Sequence, residues 1–225
     1  MEAEYFCSSC RTPFLNGFPL DSEGRCALCR SGLRGFDAAY CFGSYDGVLR
    51  QLIHLFKYGR IRTLAGPLAD LALQAFPRDE RLDAIVPVPL YWRRRWQRGF
   101  NQSALVARNL SRRSGIPLLN ALVRTRSTAV QASLSNTGRR QNVTGAFRVR
   151  RALSGAGHRF SRSGDLCGRR LLLVDDVMTT GSTAAACALA LKRAGAARVV
   201  LLTVARVDRR LGGARPRPNS KRETL

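Results

Sequence analysis

The chain has 225 residues, with 38 lysine and arginine residues against 15 aspartate and glutamate residues, and a formal net charge of +23 at pH 7. This length allows one α/β domain with a sizeable core and a small additional unit. No run approaches the roughly 18 apolar residues of a membrane span, and the start Met-Glu-Ala-Glu lacks the pattern of a signal peptide. We therefore expect a cytoplasmic protein with no integral membrane segment.

Arginine carries almost all of the positive charge, because the only lysines are Lys57, Lys192 and Lys221. A charge of this size is typical of proteins that bind polyanions such as nucleic acid or an acidic membrane face. A GC-rich genome would impose the same arginine bias without selection for binding. Composition alone leaves open nucleic acid, phosphate-rich small substrates and a charge without functional consequence.

Four cysteines near the amino terminus form two C-x-x-C pairs, Cys7 with Cys10 and Cys26 with Cys29, separated by fifteen residues. This spacing suits a zinc ribbon, in which four thiolates close a tetrahedral site with no open position for catalysis. The alternative, two disulfides, fits a cytoplasmic chain poorly. Residues 1–36 are therefore predicted to be a small ribbon that takes its folding energy from a structural Zn²⁺.

Apolar residues recur at helical spacing from Tyr45 to Tyr58 and from Leu64 to Phe76, which predicts two amphipathic helices. His54 and Lys57 fall on the first helix. A lone histidine there is more typical of packing or of the surface than of catalysis. Lys57 could reach a phosphate, although the sequence gives no sign that it does.

A buried strand is predicted from Leu82 to Val88, and it ends at Pro87-Val88-Pro89 because two close prolines force extended backbone and end the hydrogen-bonded ladder. A loop at the carboxyl edge of a parallel strand is where an α/β sheet places ligand contacts. Either Asn101 or Ser103, a little further on, is expected to cap a helix that continues through Leu110.

Between this strand and that helix, aromatic residues are interleaved with basic ones: Trp92, Arg93, Arg94, Arg95, Trp96 and Arg98. Such a surface could clamp a pyrophosphate or stack the bases of a nucleic acid strand. The alternative is a solvated basic loop with the tryptophans packed beneath it.

The segment 124–147 has few apolar residues before Val143 and is rich in hydrogen-bond donors, which predicts a mobile loop. A lid that closes over a polyphosphate needs donors more than packing, and its candidate contacts are Arg124, Arg126, Arg139 and Asn142. The segment 154–168 is predicted to be a disordered insertion, and the basic segment 207–225 a disordered tail.

The most informative stretch begins with the apolar run Leu171 to Val174, which predicts a strand buried on both faces, as in a parallel sheet flanked by helices. Two acids are expected at its carboxyl end. A loop then leads into a helix predicted from Ala184 to Ala194. The acids and the loop are Asp175, Asp176, Val177, Met178, Thr179, Thr180, Gly181, Ser182 and Thr183.

A loop between a strand and a helix amino terminus favours a phosphate, through its backbone N–H groups and the helix dipole. Gly181 permits close approach and the neighbouring hydroxyls can donate hydrogen bonds. Carboxylates repel a phosphate but accept hydrogen bonds from sugar hydroxyls, so Asp175 and Asp176 suit the diol of a ribose 5-phosphate. The alternative is a solvated acidic turn capped by Ser182 or Thr183.

This stretch resembles, position by position, the phosphoribosyl pyrophosphate signature of the type I phosphoribosyltransferases. Over residues 1 to about 206 the chain is also similar to the ComF family, which includes the GntX-like proteins. The shared motifs are the four-cysteine ribbon, Val-Pro-Val-Pro-Leu, Arg-Gly-Phe-Asn-Gln, Arg139 with Gln141-Asn142-Val143, Gly145-Ala146-Phe147 and Leu-Val-Asp-Asp-Val-Met-Thr-Thr-Gly. The family comprises bacterial type I phosphoribosyltransferase-like proteins linked to natural competence, the uptake of single-stranded DNA.

The resemblance implies an α/β fold, a type I phosphoribosyltransferase-like doubly wound parallel sheet over 37–206. It implies that Asp175 and Asp176 form the catalytic pair and hold the ribose 2′- and 3′-hydroxyls of phosphoribosyl pyrophosphate, while the loop after them holds the 5′-phosphate. Mg²⁺ is expected on ligand oxygens, with the pyrophosphate near Val88, Pro89 and Arg98. Single-stranded DNA and the competence machinery are the implied partners.

One departure from the wider superfamily restricts which acceptors are expected for the phosphoribosyl group. Purine-salvage enzymes carry an acid where this chain has Thr179, so transfer to hypoxanthine or guanine is not expected. Two functions remain: transfer of a phosphoribosyl group to an acceptor that the sequence does not identify, or binding of the ligand and of single-stranded DNA without transfer.

Overall fold

The computed structural model describes residues 5–9, 13–14, 17, 20–30, 35–125, 145–150 and 166–207. A single 3-10 turn, Arg62–Leu64, precedes the third helix. The remaining elements, in chain order, are β1 (Tyr5–Phe6), β2 (Pro13–Phe14), α1 (Ala27–Arg30), β3 (Ala38–Ser44), α2 (Gly47–Tyr58), α3 (Ala65–Gln74), β4 (Ala84–Pro87), α4 (Trp92–Arg98), α5 (Gln102–Ser114), β5 (Leu122–Arg124), β6 (Phe147–Val149), β7 (Arg170–Met178), α6 (Ser182–Arg193) and β8 (Arg198–Arg206).

The centre of the fold is a parallel sheet in the order β3-β8-β7-β4. Side chains of β7 alternate between two apolar layers, because successive residues of a strand point to opposite faces. Leu171 and Leu173 pack with α6, whereas Leu172 and Val174 pack with α2, α3 and α5. Helices thus cover both faces of a parallel sheet, which confirms the doubly wound α/β prediction.

The end of β7 differs from the prediction, in which the strand stopped at Val174. The strand continues through both acids to Met178, and Asp175 pairs with Thr203 of β8. Ladder hydrogen bonds use only the backbone, and β8 is long enough to pair with β7 to this point, so polar side chains do not end the strand. The edge strand β3 and the small β5–β6 hairpin were not predicted from the sequence.

The amino-terminal residues pack against the α6 side of the sheet. Cys7, Phe14 and Cys26 belong to the same apolar cluster as Met178, and the guanidinium of Arg206 lies 3.6 Å from the centre of the Phe14 ring. Where the chain leaves this unit, Gly35 touches the backbone of α6. A Cβ at that position would lie 2.3 Å from the carbonyl oxygen of Ala185.

Ion pairs connect the amino-terminal ends of the sheet's strands, at the far end from the two acids of β7. Glu80 accepts hydrogen bonds from Arg170 (3.1 Å) and from Nε of Arg198 (2.9 Å), so it ties together the first residues of β7 and β8. Asp37 accepts from the Val199 N–H and pairs with Lys192 Nζ at 2.8 Å. In the described part of the chain, no helix combines the length and apolarity needed to cross a membrane.

Candidate functional site

The two acids of β7 are held by side chains from different helices. Asp176 is buried, and its Oδ1 lies 2.9 Å from Nζ of Lys57, in the last turn of α2. Asp175 Oδ1 accepts hydrogen bonds from the Ser103 hydroxyl of α5 (2.8 Å) and from the Asp176 backbone N–H (2.9 Å). One oxygen of each carboxylate is therefore engaged. In the part of the chain that the structure describes, Oδ2 of each has no hydrogen-bond partner and can accept from a ligand hydroxyl.

The position of Asp175 disfavours its charge. Burial and, after it, the charge of Asp176 raise the pKa of its carboxyl, while the Ser103 hydrogen bond and the ammonium of Lys57 oppose the shift, and the net result is a pKa of about 7. The carboxyl of Asp175 therefore gains or loses its proton near neutral pH, and it can accept two hydrogen bonds on its oxygens only after the proton is lost.

The raised pKa predicts pH-dependent binding of a ribose diol. Below about pH 7 the free protein must release the Asp175 proton before both oxygens can accept, so affinity is expected to rise with pH and to level off above about 7, with at most about tenfold per pH unit. Calorimetric titration across this range with phosphoribosyl pyrophosphate measures the midpoint.

Ser103→Ala provides the control for this pH profile. It removes a hydrogen bond that lowers the pKa of Asp175, so the midpoint should move to higher pH. Ionisation of the ligand's own phosphates would instead give the same midpoint in both proteins, and that outcome would rule out Asp175 as the titrating group.

The predicted phosphate loop joins β7 to α6. Gly181 has φ 74°, a left-handed conformation that favours glycine, and it precedes the first residue of the helix. No side chain caps α6. The Thr180 and Ser182 hydroxyls instead contact each other at 3.0 Å. The Thr180 hydroxyl also accepts from the Ser182 backbone N–H at 3.4 Å. The alternative of an acidic turn capped by Ser182 or Thr183 is therefore wrong, because neither residue caps the helix.

The strand β4 brings its following loop next to the acids. The Val88 N–H donates to the Val174 carbonyl (2.9 Å), and the Val88 carbonyl accepts from Nδ2 of Asn101 (3.0 Å). Asn101 occupies the position before α5 but does not cap it, and Ser103 donates to Asp175. The predicted capping roles are thus wrong for both residues, because each side chain has a tertiary partner.

Arg98 lies near the start of α5, and Pro89 directly follows Val88. The Arg98 guanidinium is 5.1 Å from the centre of the Tyr58 ring, beside Lys57 in sequence, and it donates to Oε1 of Gln102 at 3.4 Å. Lys57 and Arg98 are thereby both attached to the carboxyl end of α2.

The basic and aromatic segment is a helix, α4, and not a loop. Trp92 is 59% exposed and Trp96 is 88% exposed. The guanidinium of Arg93 lies 5.2 Å from the Trp92 ring centre. The interpretation in which both tryptophans pack beneath a loop is therefore wrong. The side chains of Arg94 and Arg95 lie outside the described part of the chain.

Of the predicted lid residues, only Arg124 lies within the described ranges. It ends β5, and its guanidinium is 5.4 Å from the ring centre of Phe147 in β6. The charges of both Arg124 and Asp175 act on the buried thiol of Cys187 in α6, whose pKa is raised chiefly by burial. Arg124, the first residue of the predicted lid, and Asp175 therefore both lie close enough to this thiol for their charges to act on it. Arg126, Arg139 and Asn142 fall outside the described residues.

Three of the four predicted metal ligands lie together. The Sγ atoms of Cys7, Cys26 and Cys29 lie within 4.8 Å of one another, with Cys7 and Cys29 3.6 Å apart. Thiolates about 2.3 Å from one zinc ion have this spacing. The Cys26 N–H also donates to Cys7 Sγ at 3.3 Å. Cys10 is not among the described residues. This cluster could hold a metal ion.

Two residues of the site were not identified from the sequence as its members. Lys57 was noted only for its reach, and Ser103 only as a possible cap. Ser103 directly follows the Arg-Gly-Phe-Asn-Gln motif, which is the one local signal that could have indicated it.

Comparison with known proteins agrees with this geometry. Residues 101–222 match the phosphoribosyl transferase domain family. The chain is 35% identical over 200 residues to the DNA utilization protein YhgH of Escherichia coli K12, which covers 86% of this chain and 80% of that protein. It is 40% identical over 166 residues to competence protein F of Haemophilus influenzae, covering 70% and 68%.

Solved structures give more distant similarities. A glutamine phosphoribosylpyrophosphate amidotransferase from B. subtilis, complexed with ADP and GMP, is 21% identical with a TM-score of 0.37, covering 63% of this chain and a quarter (25%) of that one. The protein TT1426 from Thermus thermophilus is 18% identical with a TM-score of 0.34, covering 68% and 86%.

Proposed function

The chain belongs to the phosphoribosyl transferase domain family and to the group of relatives that includes competence protein F, and on that premise we propose that it binds phosphoribosyl pyrophosphate at the carboxyl end of β7. The observation that carries the proposal is the pair of acids, each with one oxygen that has no partner among the described residues, next to a helix amino terminus whose N-cap is a glycine. A ligand with a diol beside a phosphate satisfies both features.

In the proposed complex the 5′-phosphate occupies the loop of Thr179, Thr180, Gly181, Ser182 and Thr183. The two ribose hydroxyls donate to Asp175 and Asp176. The pyrophosphate lies towards Val88, Pro89 and Arg98, with Mg²⁺ held mainly by its oxygens. Val177 and Met178 connect the acids to the phosphate loop, and Arg124, Arg126, Arg139 and Asn142 belong to the lid.

The reaction that suits this complex is transfer of the phosphoribosyl group. An acceptor forms a bond to the anomeric carbon while the bond to pyrophosphate breaks, and pyrophosphate leaves with the electron pair. The transition state carries positive charge on the ribose ring, so Asp175 and Asp176 act by positioning and by charge stabilisation. The acceptor is left to experiment.

Two measurements test the proposal. Calorimetric titration of the purified protein with phosphoribosyl pyrophosphate and Mg²⁺ is expected to give saturable binding at one site per chain. Incubation of radiolabelled ligand with a panel of nitrogenous acceptors is expected to release pyrophosphate with one of them. Absence of binding would contradict the proposal, whereas binding without turnover on any acceptor favours a non-catalytic binding protein.

The proposal includes a division of the chain and a metal. Residues 1–36 form a ribbon in which Cys7, Cys10, Cys26 and Cys29 hold one structural Zn²⁺. Residues 37–206 form the phosphoribosyltransferase-like domain, and 207–225 form a basic tail. The three clustered thiols support the metal site. We place the protein in the cytoplasm, where thiols remain reduced.

A second function, binding of single-stranded DNA in natural competence, has its own support. The names of the relatives refer to competence and to DNA utilization. Trp92 and Trp96 are exposed on a helix that is rich in arginine, and exposed aromatic rings beside cations are the usual platform for unpaired bases. The protein would then either bind single-stranded DNA in addition to transferring a phosphoribosyl group, or bind it without carrying out any transfer.

The stacking hypothesis predicts a preference for single strands that salt does not abolish. Net charge alone gives attraction that falls steeply with salt, whereas each stacked base adds roughly 1 to 3 kcal/mol that salt barely screens. Affinities for a single strand and a duplex of equal length are measured across a salt series. Trp92→Ala with Trp96→Ala is expected to erase the single-strand preference.

Phe6→Ala is the matched control for the tryptophan variant, because Phe6 is an exposed aromatic residue (51%) outside α4. It should keep the preference. Equal affinity of the wild type for both nucleic acids, unchanged by the tryptophan substitutions, would leave the +23 charge as a consequence of composition.

A further inference from the structure

Lys57 is a largely buried cation with unfilled hydrogen-bonding capacity. Its side chain is 14% exposed, and its Nζ lies 2.9 Å from Asp176 Oδ1. An ammonium group carries three donors. Within the described ranges, Asp176 supplies the only acceptor that Lys57 contacts, so two donors of a largely buried charge have no partner in that part of the protein. Such a group is costly unless something completes its hydrogen bonds.

The place of Lys57 relative to the acids restricts which ligand atoms could accept its two remaining hydrogen bonds. If the acids bind the 2′- and 3′-hydroxyls, the anomeric carbon is one bond from the carbon that bears the 2′-hydroxyl. A substituent on the anomeric carbon then lies close to the acids and to whatever contacts them. An anionic substituent at this carbon can therefore reach the unfilled donors of Lys57.

We propose that Lys57 determines ligand specificity by bridging Asp176 and an anionic group on the anomeric carbon of the ribose. The inference rests on the proposed function and extends it to the choice among sugar phosphates. Phosphoribosyl pyrophosphate offers acceptors to the two unfilled donors of Lys57. Ribose 5-phosphate has the same diol and the same 5′-phosphate but no anion at that carbon, so it leaves those donors of a largely buried ammonium group unsatisfied.

Selectivity of this kind is a difference between the binding free energies of two ligands. The difference isolates the contact that Lys57 makes with the anomeric substituent. Any effect of Lys57 on the charge or the shape of the acid pair acts equally on both ligands, because both present the same diol. The contact with the anomeric substituent acts only on phosphoribosyl pyrophosphate. The ratio of the two affinities therefore separates a ligand contact from a purely structural role.

The experiment compares wild type with Lys57→Met, which removes the charge but keeps an unbranched side chain of similar length. Affinities for phosphoribosyl pyrophosphate and for ribose 5-phosphate are measured by calorimetry with saturating Mg²⁺ at about pH 8.5, where Asp175 is ionised in the wild type. In Lys57→Met the affinity for phosphoribosyl pyrophosphate is expected to fall at least about tenfold relative to that for ribose 5-phosphate.

Lys192→Met is a matched control within the same chain. Lys192 pairs with Asp37 at 2.8 Å, at the opposite edge of the sheet, so its loss removes a lysine–aspartate pair of similar length without touching the site. Its affinity ratio should equal that of the wild type. Lys57→Arg, which keeps the charge, should retain a preference for phosphoribosyl pyrophosphate.

Three outcomes would overturn the inference. Equal weakening of both ligands in Lys57→Met would make Lys57 a support for Asp176 alone, and unchanged affinities would remove it from the site. Loss of the preference in Lys57→Arg would show that charge is not what matters. If Lys57→Met does not fold, Lys57→Gln carries the same comparison. Failure of the wild type to bind either ligand would instead refute the proposed function.

Discussion

Simultaneous replacement of Asp175 and Asp176 by asparagine is expected to weaken binding of phosphoribosyl pyrophosphate by at least about a hundredfold, because two charge-assisted hydrogen bonds to the ribose diol are lost at once. An amide presents two donors on its nitrogen where the diol requires an acceptor. The measurement is calorimetric titration with Mg²⁺ present, and the expected result is loss of the binding isotherm.

The fold should survive this change, and the two single variants should differ in stability. A folded-state pKa of about 7 means that the Asp175 charge opposes folding as pH rises from about 4 to above 7, so Asp175→Asn is expected to unfold at an equal or higher temperature at pH 8. Asp176→Asn leaves Lys57 without its carboxylate and is expected to melt at a lower temperature.

Asp70→Asn serves as the control for both measurements. Asp70 lies on α3 and pairs with the exposed Arg113 at 2.7 Å, away from β7. Its variant should bind like the wild type. Unchanged affinity in the Asp175 and Asp176 double variant, with the control also unchanged, would make the acids structural residues and would refute the proposed ligand.

Removal of the metal is the second large effect, and it concerns the amino-terminal cluster. Purified protein is expected to contain one zinc ion per chain, and Cys26→Ser should lose it. The apparent binding energy of a structural zinc site is about 10 to 16 kcal/mol near pH 7, which exceeds what a core of some thirty residues supplies. The ribbon should therefore unfold and become sensitive to proteases.

Cys167→Ser is the control, because Cys167 is an exposed cysteine outside the cluster. Its variant should keep both the metal and its resistance to proteolysis. Metal-free protein with an intact, protease-resistant amino terminus would contradict the zinc site. Because Cys7 and Cys26 share an apolar cluster with Met178, loss of the metal is also expected to lower the melting temperature of the whole protein.

The parts of the fold that depend on local pattern could be predicted from the sequence. The unbroken apolar run of β7 and the helical spacing in α2 each depend on neighbours in the chain, and each element forms close to its predicted place. The end of β7 could not be predicted because the strand is prolonged by pairing with β8, a partner 28 residues away at Asp175↔Thr203. The sequence shows polarity there but not the partner strand.

Some residues of the site could likewise be predicted from local sequence, whereas others could not. The acids and the loop after them are contiguous, so their chemistry is visible in one stretch. Lys57 and Ser103 reach the acids from 119 and 72 positions away along the chain, respectively, and nothing local distinguishes them from a surface lysine and a helix cap. The exposure of Trp92 and Trp96 likewise depends on how α4 lies on the surface, which composition does not determine.

The close contact between Gly35 and the backbone of α6 has a consequence for tolerance of variation. Any side chain at this position would have to displace Ala185, whose backbone lies in the first turn of the helix that follows the phosphate loop. In a saturation library selected for ligand capture, position 35 should therefore accept almost no replacement, although it touches no ligand. A surface position without close contacts would accept most amino acids. Loss of nearly all replacements at position 35 would therefore show that the contact between this residue and α6 is required for ligand capture.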